Sequence, residues 1–334
     1  ISSIKLILVL AKKIFIIIAG LAIVGGILFF RYNAAQETSS LIAGTNTQKS
    51  LEEYAKQALL TCADAKSRPS CYDDEIPKFM DTISMEDAFR VTQIIQRDDS
   101  AYQFCHVLGH RLSTREVEKN PADWKNVVSR CPSGTCSNGC IHGGFQERFR
   151  KETLTPEEVT ALTPELGDLC EPRENWHPTG LEQGSCYHAL GHLTMYLTNA
   201  DIERSVALCK QIAVKKTGID WSHLCYDGAF MQIFQPLEPE DFSLIEGKAP
   251  AREEVASFCG RFEERAKGSC LTETWPLFRD EVMMPEGLVR FCGRQDTQER
   301  DRCFMSLAYI LTVQFQFDTK KMSEFCSGLP ESRQ

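Results

Sequence analysis

Long runs of lysine and arginine are missing from this 334-residue chain beyond its first segment, and acidic residues outnumber basic ones by 46 to 37. A formal net charge of −9 offers no footprint for a phosphate backbone, which excludes nucleic acid as a partner. Several catalytic signatures are missing as well. There is no H-E-x-x-H of a helix-borne zinc protease and no G-x-S-x-G of a serine hydrolase. A phosphate-cradling glycine loop and the C-x-x-C-H of covalent haem are also lacking. No stretch shows the apolar–polar alternation of a half-buried strand, so helix is the expected regular element. The hydrophobic share is 43%, enough to bury a large core and too much for a disordered tail.

What is present begins with an apolar run from Ile14 to Phe30, preceded by Lys5, Lys12 and Lys13 and closed by Arg31. With Leu6 to Ala11 it can span a bilayer, since a spanning helix needs roughly 20 apolar residues and lysine stems can reach back to the interface. Lysines on the amino-terminal side hold that end in the cytoplasm. The run exceeds the h-region of a signal peptide and no A-x-A site follows it, which favours an uncleaved anchor. The reading is therefore an N-terminal membrane anchor over 1–31, a polar stalk over 32–50 rich in Ser, Thr, Asn and Gln, and an extracytoplasmic, cysteine-rich helical-repeat domain over 51–334. The domain is expected to be periplasmic or extracellular.

Fifteen cysteines in an exported domain imply disulfides, because nothing outside the cytoplasm keeps so many thiols reduced. Most fall into couples: Cys62 with Cys71, Cys131 with Cys140, Cys170 with Cys186, Cys209 with Cys225, Cys259 with Cys270, and Cys292 with Cys303. The first member ends an amphipathic segment, as in SVALC, and the second opens another, as in CYDGAF. A pair so placed can bridge an antiparallel hairpin across its loop. Of the remainder, Cys105 is expected to bridge Cys136, leaving Cys326 unpaired or intermolecular.

Aligning the second cysteines, with Phe104 in the same place in FCHVLGH, gives positions 71, 104, 140, 186, 225, 270 and 303, or steps of 33, 36, 46, 39, 45 and 33. Periods of this length with two helical segments each predict an all-α, disulfide-stapled α-solenoid of about seven helical hairpins after one transmembrane helix. Helix starts are signalled by Thr155-Pro156-Glu157-Glu158 and by Asp201. The arrangement resembles the cysteine-stapled Sel1-like repeat proteins of bacteria, whose helix pairs are each closed by a short disulfide loop. The regular alanine and glycine signature of those repeats is absent, so the resemblance concerns architecture and carries no functional residue.

Five of the seven histidines occupy two columns of this register. His106, His142 and His188 lie two residues after the aligned position, and His110 and His192 lie six after. Histidines four apart share one helix face, the spacing by which a helix offers two imidazoles to one metal ion. Asp227 takes the first column in the next unit, and Gln146 the second column after His142. Gly109, Gly191, Gly143 and Gly228 beside these positions permit close approach. The central units thus form a duplicated pair, one half supplying His106, His110 and His142, the other His188, His192 and Asp227. Three histidines suit zinc with an open position, while two histidines and a carboxylate suit zinc or non-haem iron. The same columns also suit a buried hydrogen-bonded stripe that ties repeats together. His177 and His223 are expected in surface loops, the four tryptophans in the core, and the acidic clusters 238–241 and 263–264 on solvated faces.

Two functions accord with these features. The first is an interaction scaffold for protein or peptide partners, since solenoids expose long concave surfaces. The alternative is a metal-binding protein or metal-dependent enzyme using the histidine columns.

Overall fold

The computed structural model describes residues 51–149, 154–174, 176–214, 219–237 and 239–331. The expected anchor over 1–31 and stalk over 32–50 lie outside the described residues. Among those that are described, no helix is long and apolar enough to cross a membrane. The chain divides into two units, 1–56 and 57–334. The first is described over 51–56, which are helical.

Helices supply the regular structure of the second unit, and the described residues contain no strand beyond two isolated bridges. In chain order they are α1 (57–61), α2 (Arg68–Glu75), α3 (Met85–Asp98), α4 (His106–Lys119), α5 (Trp124–Ser129) and α6 (Gly139–Phe149). Next come α7 (Pro156–Leu169), α8 (Gly180–Leu197), α9 (Ile202–Ala213), α10 (Ser222–Phe234), α11 (Pro239–Leu244), α12 (Val255–Cys259) and α13 (Glu264–Glu273). The series closes with α14 (Arg279–Val282), α15 (Pro285–Cys292), α16 (Thr297–Gln314) and α17 (Thr319–Ser327).

Local chemistry starts these helices where the sequence predicts. Thr155 caps α7 in a reciprocal box with Glu158, and the Asp201 carboxylate accepts from the Arg204 N–H at the head of α9. Such caps satisfy amide donors that have no partner inside the helix. Three starts come earlier than expected. Thr179 (boxed with Glu182), Glu263 and Asp296 open α8, α13 and α16 ahead of their cysteines, so Cys186, Cys270 and Cys303 lie inside their helices rather than at the first turn.

All seven expected disulfides are formed. Six each close a hairpin, every unit but the one at Phe104, with Cα–Cα separations of 5.6–5.7 Å. The seventh links Cys105 to Cys136, and Cys326 alone stays a thiol. Each closed hairpin stabilises the fold by roughly 3 kcal/mol in the chain-entropy picture.

The second helix of each hairpin packs on that of the next: α4 on α6, α6 on α8, α8 on α10, α10 on α13 and α13 on α16. Apolar side chains on these helices, such as Leu108, Phe145, Leu190 and Phe230, are fully buried. Within this row α4 meets α6, and α8 meets α10, almost backbone to backbone. A Cβ on Gly139 or Gly143 would overlap the carbonyl of His106 or His110, and one on Gly228 would overlap that of His188. Glycine is what the chain needs where two helices come this close.

Three of the four tryptophans, Trp124, Trp176 and Trp275, are buried, and Trp221 is half-buried against Tyr187. Two expectations are corrected. His223 is not in a surface loop: the Trp221 turn starts α10 at Ser222, so His223 stands half-buried in its first turn. Asp241 is not solvated either, because it is buried as the acceptor of the Tyr196 hydroxyl and the Leu237 N–H. His177 and Glu263–Glu264 are exposed as expected.

Candidate metal centre

The close glycine contacts bring the histidines of α4, α6 and α8 into one cluster. His106 and His110 sit one turn apart on α4, with ring centroids 4.7 Å apart. His142 on α6 lies 4.9 Å from His106 and 5.2 Å from His110. It also lies 5.4 Å from His188 and 5.3 Å from His192, the pair on α8. The two sets expected as separate halves therefore meet through His142.

Hydrogen bonds fix the tautomers. The Gln146 Oε1 oxygen is 3.2 Å from His110 Nδ1 and can only accept, so Nδ1 carries the proton and Nε2 keeps its lone pair. Nε2 of His110 faces Nε2 of His106 at 3.1 Å. At His106 the backbone carbonyls of Cys136 and Ser137 favour the protonated ring, against the burial that disfavours it. Those carbonyls come from three successive left-handed residues, Cys136, Ser137 and Asn138, with φ of 51°, 50° and 58°. Non-glycine residues take that conformation at a cost and cluster at functional sites. The Cys105–Cys136 disulfide ties this segment to the residue before His106.

The same pattern recurs on α8. Gln232 Oε1 accepts from His192 Nδ1 at 2.6 Å, and the Nε2 atoms of His192 and His188 are 3.3 Å apart. Two nitrogens on one tetrahedral zinc at 2.0–2.1 Å stand about 3.3 Å apart. Both pairs thus have the spacing of two ligands to one ion.

A third ligand distinguishes the halves. In the first, one ligand atom each of His106, His110 and His142 lies within 4.8 Å of the others, and all three residues are buried. His142 Nδ1 is buried with no hydrogen-bond partner, and a buried polar atom left unpaired is costly. This cluster could hold a metal ion. In the second half the expected third ligand, Asp227, turns to Arg302, whose guanidinium reaches both carboxylate oxygens at 3.3–3.4 Å. His188, His192 and Asp227 are not gathered as the first trio is.

Desolvation lowers every imidazole in the cluster below its ordinary range, with neighbouring imidazoles adding to it at four of the five. His106 falls to about 4. His110, His142 and His188 fall well below the usual value. At His192 burial lowers the value and Gln232 opposes it. Neutral imidazoles are the form that binds metal.

His106, His142 and His188 face an open cleft of about 770 Å³, which Asp227 and Glu273 also line. Phe104, the residue standing in the cysteine register, stacks over His106 at 6.0 Å. Burial raises Asp227 to about 6, against the pull of Arg302. Burial, then the charge of Asp227, pushes Glu273 well above the carboxylate range, although Gln235 donates to it at 2.5 Å.

Sequence reasoning missed Gln232, Arg302, Glu273 and the carbonyls of Cys136 and Ser137. Gln232 falls one residue beyond the second column, where a search of the following position would have found it. Arg302 and Glu273 belong to units outside the duplicated pair and gave no signal. Comparison with known proteins finds no matching protein family, no matching curated protein and no matching solved structure.

Proposed function

We propose that this chain is an exported metal-binding protein that holds one zinc-like ion on His106, His110 and His142 and leaves an open position toward the cleft. One observation carries the reading: Nε2 of His106 and Nε2 of His110 face each other at 3.1 Å while the outer nitrogen of His110 is taken by the Gln146 carbonyl oxygen. Such partners orient metal-binding histidines and fix their tautomer. Zinc is favoured over non-haem iron because Asp227, the carboxylate an iron site would use, is engaged by Arg302. An ion with an open position supplies Lewis-acid chemistry or an activated water to whatever the cleft holds.

The remainder of the proposal concerns placement. The neighbour-to-neighbour packing from α4 to α16 supports an α-solenoid of about seven hairpin units over 51–334. Seven disulfides support an oxidising compartment, periplasmic or extracellular. Residues 1–31 would anchor it with the N-terminus in the cytoplasm, and 32–50 would form the stalk.

The test is elemental analysis and zinc titration of the oxidised protein, comparing His110→Ala with His192→Ala and checking each fold by circular dichroism. One equivalent of zinc is expected in the parent and in His192→Ala, and none in His110→Ala. A parent that takes up no metal, or a folded His110→Ala variant that binds zinc as the parent does, overturns the reading. A scaffold for protein or peptide partners is the second reading. It is favoured by Leu181, Phe242 and Tyr309, which line the cleft yet are 69, 57 and 50% exposed.

A further inference from the structure

The cleft joins two kinds of surface. Its polar lining includes His106, His142, His188 and Glu273. Its apolar lining, the larger share, includes Leu181, Leu224, Met231, Phe242, Ile310 and Val313. A volume of about 770 Å³ lies inside the range of small-molecule sites, which pair apolar walls with a few convergent polar groups.

We propose that this cleft binds an amphiphile with a long apolar chain and a carboxylate head, the chain lying along the apolar walls and the head reaching the histidines. The choice of head rests on the metal reading above. An ion held by three neutral histidines keeps its full positive charge and lacks an anionic ligand, which a carboxylate supplies. Glu273, whose carboxyl burial and then the charge of Asp227 push well above the carboxylate range, lines the same cleft and accepts from Gln235. A cationic head would meet the same ion unfavourably. The choice of chain rests on the walls alone. An extended peptide laid there would leave its amides facing apolar side chains, at a cost for each unpaired group, whereas an acyl chain has no such groups.

The test displaces a fluorescent polyene fatty acid from the full chain, zinc-loaded and after chelation. Competitors are butyrate, octanoate, laurate, dodecanol and dodecylamine. In the loaded protein laurate should displace the probe at a concentration at least about tenfold below octanoate, and octanoate below butyrate, as buried methylenes require. Laurate should also outcompete dodecanol by about tenfold and dodecylamine by more. After chelation the chain-length order should persist and the preference for carboxylate should vanish. Leu181→Asp, an exposed position whose change leaves the core intact, should weaken every long-chain competitor. A probe that does not bind, displacement independent of chain length, or an amine preferred over the carboxylate in the loaded protein overturns the proposal. A protein that never takes up zinc but keeps the chain-length order and the Leu181→Asp effect overturns the metal reading and the head-group assignment, and leaves the chain assignment standing.

Discussion

The α4–α6 and α8–α10 pairs are built to one plan and end in different chemistry. Both carry histidines one turn apart, a glutamine on the outer nitrogen, a disulfide at the hairpin and glycine at the helix crossing. In the first pair the neighbouring helix adds His142, and three imidazoles converge. In the second, the equivalent position holds Asp227, and an arginine from α16 takes it. Duplication copies a frame, and one substitution in the frame decides whether a third ligand is available.

The largest effects should come from the feature that the halves share. Gly143→Ala and Gly228→Ala should each destabilise the fold by about 3 kcal/mol or more, since the added Cβ meets backbone that cannot move aside. Chemical denaturation measures both, and tolerance at either site would break the symmetry of the comparison.

Titration should separate the halves next. In metal-free protein His106, ordinarily near 6.5, sits at about 4. Its contribution is therefore full above about 6.5 and is lost as pH falls toward 4, on the order of 3 kcal/mol. Asp227 is raised from 3.8 to about 6, so its contribution is present below about 4 and is lost as pH rises through 6. Stability measured from pH 4 to 7 should flatten in His106→Asn and steepen in Asp227→Asn. Equal slopes in parent and variants would contradict both assignments.

The smallest effect is the sharpest discriminator. Gln146→Ala should weaken zinc about 10- to 100-fold by releasing the tautomer of His110, while Gln232→Ala should change it by less than about threefold. Calorimetric titration reads the difference. Equal losses would mean that both halves hold metal.

The staples and the histidine columns were legible because each is a local spacing. Couples such as Cys209 with Cys225 and turns such as His188 to His192 need no knowledge of distant packing. Even the odd link from Cys105 to Cys136 could be reached by elimination. What the chain did not announce depends on helices from different units meeting. His142 serves both pairs only because α6 packs on α8. Asp227 was expected to be a ligand because its column said so, and the residue that claims it lies 75 positions away. His223 was misplaced because α10 begins before Cys225, at a turn the apolar pattern does not mark.

The left-handed stretch at Cys136–Asn138 sets an order of events. Its carbonyls at Cys136 and Ser137 favour the protonated form of His106, and the bond that pins the stretch beside α4 exists only where thiols are oxidised. Where thiols stay reduced, the tie between this stretch and the residue before His106 would be absent. If the chain is exported and binds metal as proposed, crossing and oxidation would precede loading. The ion would then be drawn from whatever supply exists outside the cytoplasm, and its uptake would report that export and oxidative folding are complete.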